Sequence, residues 1–451
     1  MKRRPIVAAL ALLVAGTAHG YPIAEERKLG DRFALEAAAA LPLVREPAVL
    51  DYVGRIGQRM VERLEAPQPF EYRFSVVQNG TLNAFAVPGG FVYVNSGILL
   101  RAANESEFAG VLGHEIAHSH AHHIVRQQEQ SELLNYAALA GMLLSILHPA
   151  IGAAAMGVNA TVQLKYQRQF EQEADYLGVR YMRAAGYDPH GMTRFMKRLS
   201  DEQRTLPLDE IPPYMLSHPL TDERISNLEA VTKDIAAKSG WQRPTFALER
   251  AQTIVRVLGG DRTVRDRYGK LSAAGDRALA LYGVVLLYGG DATAAAAVLE
   301  KARGPGFEEI DDDLALARFR SGDVEGARRV LRARLEVAPD DAVARGLLGE
   351  LLVASQDYDA AVKELERAVR AAPELDQAEY DLGQAYGRSG HAALGVYHLA
   401  RSLEMRGDID SAIAQYEKAT KTLPVDSPEA DTAKQRLEML REVSHRHVAA
   451  P

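Results

Sequence analysis

The chain of 451 residues contains no cysteine and a single tryptophan. Without cysteine there are no disulfides, no thiolate-held metal and no cysteine nucleophile. Any metal must be held by histidine and carboxylate. An excess of basic charge is also missing: 53 Lys and Arg face 60 Asp and Glu, for a net charge of −7. That balance leaves nothing to neutralise a phosphate backbone and argues against nucleic acid as a partner. What is present is the composition of a soluble globular protein, 47% hydrophobic and 25% charged, in a length that calls for two or three domains.

Two apolar runs stand out. The first follows Lys2, Arg3 and Arg4, extends from Ile6 to about Gly16, and ends in small residues at Ala18 and Gly20 before Tyr21. A basic start, a short apolar stretch and a small-residue cleavage site read as a secretory signal peptide, residues 1–20. The run is shorter than the roughly 20 residues a membrane span requires, and no cysteine follows it to take a lipid. In a Gram-negative cell the mature chain would then be periplasmic. The second run, 137–158, is long enough to span. However, His148-Pro149 interrupts it, with Gly141, Gly152 and Gly157 around the break. Two short helices covering a cleft are expected there, with a peripheral membrane contact as the alternative.

Periodicity divides the remainder. Helical patterns run from 21 to about 64, followed by three strand-like segments, 72–80, 83–90 and 91–97, punctuated by Pro88-Gly89-Gly90. Residues 105–130 read as one long helix, 165–185 as another. From about 272 a different pattern begins: Pro305, Pro339 and Pro373 lie 34 residues apart, as do Ala315, Gly349 and Gly383. A 34-residue period with small residues in register and proline closing each unit is the tetratricopeptide signature. About four repeats are expected to 424, with a capping helix near 427–443 and a lone extra helix over 374–390. The expected division is 21–240 as one domain, 241–271 as linker or degenerate first repeat, and 272–445 as the repeat domain. The fold class is therefore mainly α: an α+β domain with a small sheet, then an all-α solenoid.

Five of the 13 histidines lie in VLGHEIAHSHAHH, residues 111–123. At about 100° per residue, His118 sits about 40° from His114 on a helix, His123 about 180° and His120 about 240°. His114 and His118 are the pair best placed to present two imidazoles to one point, His122 having drifted to about 80°, with Glu115 beside them at about 100°. This is H-E-x-x-H, two zinc ligands and a general base. His120, His122 and His123 are expected on a solvated face. A third histidine six residues after His118 is absent, the place being Ile124, so a glutamate from a second helix is the natural third ligand. EQEADYLG (171–178) offers Glu171, with Asp175 one turn on. Glu173 competes, but lies about 200° around the helix from Glu171, so both cannot face one metal.

NAFAVPGG, HEIAH, E-x-x-A-D and SHPLTDER (217–224) together resemble the peptidase family of the CAAX prenyl proteases and HtpX, and specifically its secreted bacterial members with a tetratricopeptide tail. The resemblance spans nearly the whole mature chain. It implies a zincin-type metalloprotease fold over 21–240 with one Zn2+ per chain. His114, His118 and Glu171 would be its ligands, Glu115 the base, and Asp175 the group orienting a ligand histidine. His218 would either occupy the open zinc position and hold the enzyme latent or stabilise the oxyanion; Arg224 could support either role. The segment Phe91, Val92, Tyr93, Val94 and Asn95 is expected to be the edge strand that pairs with an extended substrate. The implied activity is cleavage of misfolded or stalled envelope proteins in the periplasm. The repeats would bind substrate or the outer-membrane β-barrel assembly machinery. The alternative is a mostly latent chaperone or scaffold. Cobalt or manganese would suit the same donors.

Overall fold

The computed structural model describes residues 23–65, 68–129, 160–207, 211–236 and 245–449. The expected signal peptide and the apolar segment 137–158 lie outside the described residues. Among those described, no helix is long and apolar enough to cross a membrane.

The chain opens with two helices, α1 (Ile23–Ala40) and α2 (Pro47–Val61), the second starting on a proline, whose fixed φ and missing N–H suit a first turn. A three-stranded sheet follows: β1 (Arg73–Val77), β2 (Ala84–Val87) and β3 (Phe91–Asn95). Its order is β1-β3-β2, with β3 parallel to β1 and antiparallel to β2. This corrects the edge-strand expectation. Residues Phe91, Val92, Tyr93, Val94 and Asn95 form the central strand, hydrogen-bonded on both sides and buried at all five positions. The unbroken apolar run is the mark of a strand covered on both faces, not of an edge. The outer side of β1 is closed at its end by the segment before α2, through the Leu43–Val77 bridge and the bond from Val44 N–H to Val76 O. Among the described residues the outer side of β2 pairs with no strand.

Beyond the sheet come α3 (Ser96–Arg101), α4 (Glu105–His120) and α5 (His123–Glu129). The single helix expected over 105–130 is therefore broken. Ala121 and His122 form a turn, and His122 takes a positive φ of 54°. At its start α4 is capped: Asn104 accepts from Glu107 N–H at 3.1 Å, and Glu107 accepts from Ala103 N–H at 2.8 Å. These bonds satisfy donors that a helix start would leave orphaned. Four more helices complete the region: α6 (Ala160–Ala184), α7 (His190–Gln203), α8 (Pro213–Ser217) and α9 (Asp222–Thr232).

The segment expected to be a linker or a degenerate first repeat holds two helices, Phe246–Leu258 and Thr263–Leu271. Helix pairs then follow in order: Asp276–Tyr288 with Ala292–Ala302, Ile310–Arg320 with Val324–Val337, Ala342–Ala354 with Tyr358–Ala371, Asp376–Arg388 with Ala392–Met405, and Ile409–Thr422 with Pro428–Ala449. The helix expected to stand alone over 374–390 is thus an ordinary first helix of a pair. Its partner escaped notice because His391 stands where Asp323 and Asp357 precede the equivalent helices. Within the pairs, small residues allow close approach: a Cβ on Gly349 would fall 2.3 Å from Leu365 Cγ in the facing helix.

One continuous apolar core runs from α2 and the sheet through Phe246–Leu258 into the repeats as far as Tyr386. The far end of the array curls back onto α1. Leu35 joins the core of the last repeats, Arg45 Nη1 donates to Met405 O at 2.7 Å, and Arg32 pairs with Glu442. The solenoid therefore touches the first region at both of its ends.

Candidate metal centre

The centre forms where α4 crosses α6. The crossing is tight at Gly113 and Gly178: a Cβ on Gly178 would lie 3.1 Å from both Gly113 C and His114 N. At this separation two residues one turn apart on α6, Glu171 and Asp175, reach His114 on α4. The loop after α8 brings in His218, and Arg224 enters from the first turn of α9.

His114, His118, Glu171 and His218 each aim a ligand atom into one space, and these atoms all lie within 4.8 Å of one another. His114 Nε2 is 3.0 Å from His118 Nε2, 3.2 Å from His218 Nδ1 and 3.4 Å from Glu171 Oε2. Glu171 Oε1 is 3.3 Å from His118 Nε2 and 3.0 Å from His218 Nδ1. Four ligands set tetrahedrally at about 2.0–2.1 Å from zinc stand about 3.3 Å apart, so the observed spacings fit such an ion. The donor chemistry fits as well: three imidazoles and one carboxylate, in a site with no thiolate.

Glu115 lies beside the cluster, 1% exposed, and its Oε1 has no hydrogen-bond partner among the described residues. It stands 3.6 Å from His218 Nε2. A buried carboxylate oxygen that accepts no hydrogen bond is costly, and it is open to accept a proton.

Behind the cluster, His114 Nδ1 is 3.0 Å from Asp175 Oδ1. Asp175 accepts from Arg224 Nε at 2.8 Å and from Nη2 at 2.7 Å, and Arg224 Nη1 stands 2.7 Å from Glu171 Oε2. Arg224 is only 4% exposed, so it is no surface charge. Burial alone would raise the two carboxyls, yet both are held low: Asp175 chiefly by Arg224, Glu171 by the surrounding histidines. Burial works against a charged His114, but Asp175 and Glu171 overcome it and lift its pKa to about 10. His118 is driven down to about 3 by burial, with the charge of His114 adding to the effect. The two imidazoles are thus unlike: one has a carboxylate at its back and the other does not.

Of the remaining histidines, His123 departs from the expected solvated face, while His120 and His122 stay half-exposed. The turn at 121–122 swings His123 inward, where it is 2% exposed. Its Nδ1 is 2.9 Å from His118 Nδ1 and its Nε2 is 3.2 Å from Glu173 Oε2. His120 Nδ1 meets the Tyr181 hydroxyl at 2.6 Å, and His122 Nδ1 meets Glu26 at 2.8 Å. Glu173 thus faces His123, away from the cluster. Wheel geometry missed these contacts because it assumed an unbroken helix. Tyr214 was also missed: it is buried, with its ring 4.9 Å from that of His218. No sequence pattern marks it.

Two histidines one helical turn apart, a glutamate between them and a glutamate from a second helix define the gluzincin class of metallopeptidases. Residues 47–232 match the model of peptidase family M48 and residues 318–380 that of the tetratricopeptide repeat, and the chain is an M48 metallopeptidase domain joined to tetratricopeptide repeats. The β-barrel assembly-enhancing protease of Yersinia pestis is 28% identical over 452 residues, covering 96% of this chain and 92% of that protein. The protein of the same name from Escherichia coli K12 is 29% identical over 240 residues, 51% of this chain and 49% of its own. A Vibrio cholerae relative is 34% identical over 259 residues, covering 54% and 52%. The matches to the last two span about half the length of those relatives.

Proposed function

We propose that this chain is a zinc-dependent endopeptidase of the bacterial periplasm that cleaves misfolded or stalled outer-membrane proteins. The observation that carries the reading is the convergence of His114, His118 and Glu171 beside the buried Glu115, whose Oε1 accepts no hydrogen bond among the described residues. Zinc held by those three residues would supply Lewis-acid polarisation of the scissile carbonyl and activation of water. Glu115 takes the proton from the attacking water and returns it to the leaving amine. Asp175 and Arg224 hold His114 and Glu171 in place. The substrate-pairing role passes from β3 to the open side of β2, where an extended segment can add as a strand through main-chain bonds. Recognition of this kind favours unfolded chains over particular side chains. The repeats, as an array built for protein binding, would deliver substrates or engage the outer-membrane assembly machinery.

The position of His218 favours a resting state that is latent. Its Nδ1 stands among the ligand atoms, in the place the water would need, so it acts as a plug before it acts as a catalyst. A latent protease that works mainly as a scaffold for outer-membrane assembly is the second reading.

The test compares the full mature chain with its Glu115→Gln and His218→Ala variants at equal zinc content, with casein cleavage as the readout. Glu115→Gln should lose about 10²–10⁴-fold in rate while keeping its metal. His218→Ala should cut faster than the parent, and a chelator should abolish both activities. If His218→Ala is slower than the parent, the plug is wrong. If none of the three proteins cuts, the scaffold reading stands instead.

A further inference from the structure

We infer that His123 and Glu173 are positioning residues that fix the tautomer and orientation of His118 through a two-step hydrogen-bonded relay. This rests on the metal-centre reading above and extends it to residues outside the ligand set.

His118 turns Nε2 to the cluster, 3.0 Å from His114 Nε2. Its Nδ1 is on the opposite side of the ring, 2.9 Å from His123 Nδ1. A nitrogen that offers its lone pair to a cation carries no proton. Neutral His118 must then hold its proton on Nδ1, and it donates to His123 Nδ1. His123 in turn carries its proton on Nε2 and donates to Glu173 Oε2, 3.2 Å away. Each N–H of the relay points away from the cluster, and a carboxylate ends it. Arg126 Nη1 donates to the same Glu173 oxygen at 3.0 Å and balances its charge.

The packing holds this order in place. The His123 ring stacks on Phe170 with centroids 4.6 Å apart and planes 24° from parallel. Arg126 lies over the other partner of that stack, 4.9 Å from the Phe170 centroid. The turn through His122, with its positive φ, aims His123 back at α4. His123 cannot be a ligand in this arrangement, because it meets the face of His118 that looks away from the metal space.

The two ligand histidines thus have parallel supports. His114 is backed directly by Asp175, which Arg224 holds in turn. His118 is backed by Glu173 and Arg126 at one remove, with His123 spliced in between. Support of this sort sets the tautomer and raises the ligand's basicity, and its loss costs about 10–100-fold in metal affinity.

The experiment measures zinc affinity of the full chain by chelator competition, with the absorption spectrum of the cobalt-substituted protein as a second readout. His123→Leu fills the space but accepts no hydrogen bond, and should weaken zinc by about 10–100-fold and broaden the cobalt bands. His123→Asn places its Oδ1 where Nδ1 stood, and should recover most of that loss. Glu173→Ala should weaken zinc by less. Its side chain is 41% exposed, so the substitution does not threaten folding. A packing role predicts the reverse order, with Leu harmless and Asn harmful, and that order would overturn the inference. Unchanged affinity in both His123→Leu and Glu173→Ala overturns the relay alone. A parent chain that binds no zinc overturns the metal-centre reading and the relay with it.

Discussion

The metallopeptidase region and the repeat array use the same device, a small residue where two helices must touch, and use it differently. In the repeats the contact is local. Gly349 meets Leu365 in the next helix, and Gly283 and Gly383 meet Leu299 and Leu399 in the same way. In the metallopeptidase region it joins segments far apart in sequence: Gly113 meets Gly178 where α4 crosses α6, and Gly110 meets Met192 and Gly191 meets Ser106 where α4 meets α7. The first arrangement builds a surface by repetition. The second brings groups from α4, α6 and the loops around α8 and α9 to one point. A repeated local contact announces itself in the sequence, whereas a long-range one without a period does not.

The largest expected effect strikes the crossing of α4 and α6. Asp175→Ala leaves Arg224 buried without its main partner and His114 without support. Removing one member of a buried ion pair costs about 3–5 kcal/mol. A thermal unfolding midpoint lower by many degrees, with zinc affinity falling in parallel, would bear this out. A change within the error of the melt would mean that the crossing holds without its charges. Next comes the repeat contact. Gly349→Val drives a branched side chain into Leu365, and overpacking of this kind costs about 1–3 kcal/mol. Casein cleavage per folded molecule should not change. If cleavage falls with stability, the two regions act as one unit, as their shared core allows.

The smallest effect is a matter of pH. Asp381 lies buried in the repeats, with Gln377 Nε2 donating to it at 3.1 Å. Burial raises its carboxyl to about 7. An acid whose pKa rises on folding favours the folded state while protonated, so its contribution is full below the unfolded value and is lost as pH rises through 7. Asp381→Asn should therefore raise the melting temperature by a few degrees at pH 8 and leave it unchanged near pH 4. A rise of equal size at both values would point to packing instead.

Much of this could be read from residue spacing. His114, Glu115 and His118 are legible because one helical turn brings i and i+4 together, and Glu171 with Asp175 for the same reason. The tetratricopeptide period was legible because each unit packs on its neighbour. Other expectations differ from the structure for separate reasons. The periodicity continues the helix through His120 and so puts His123 on a solvated face; a two-residue turn reverses that. The segment Phe91–Asn95 reads as an edge strand from its sequence, but strand order depends on which segments return beside it, and its own residues do not encode that. His391 hid one repeat by replacing an expected aspartate.

Composition and spacing were enough to exclude thiolate chemistry, to mark the histidine pair and its glutamate, and to reveal the repeats, because each depends on residue type or on neighbours within a turn or two. The folded chain alone revealed that β3 is central, that Arg224 is buried against Asp175 and that His123 stands behind His118. These are contacts between segments distant in sequence, set by helix crossings and loop paths, and no local periodicity records them.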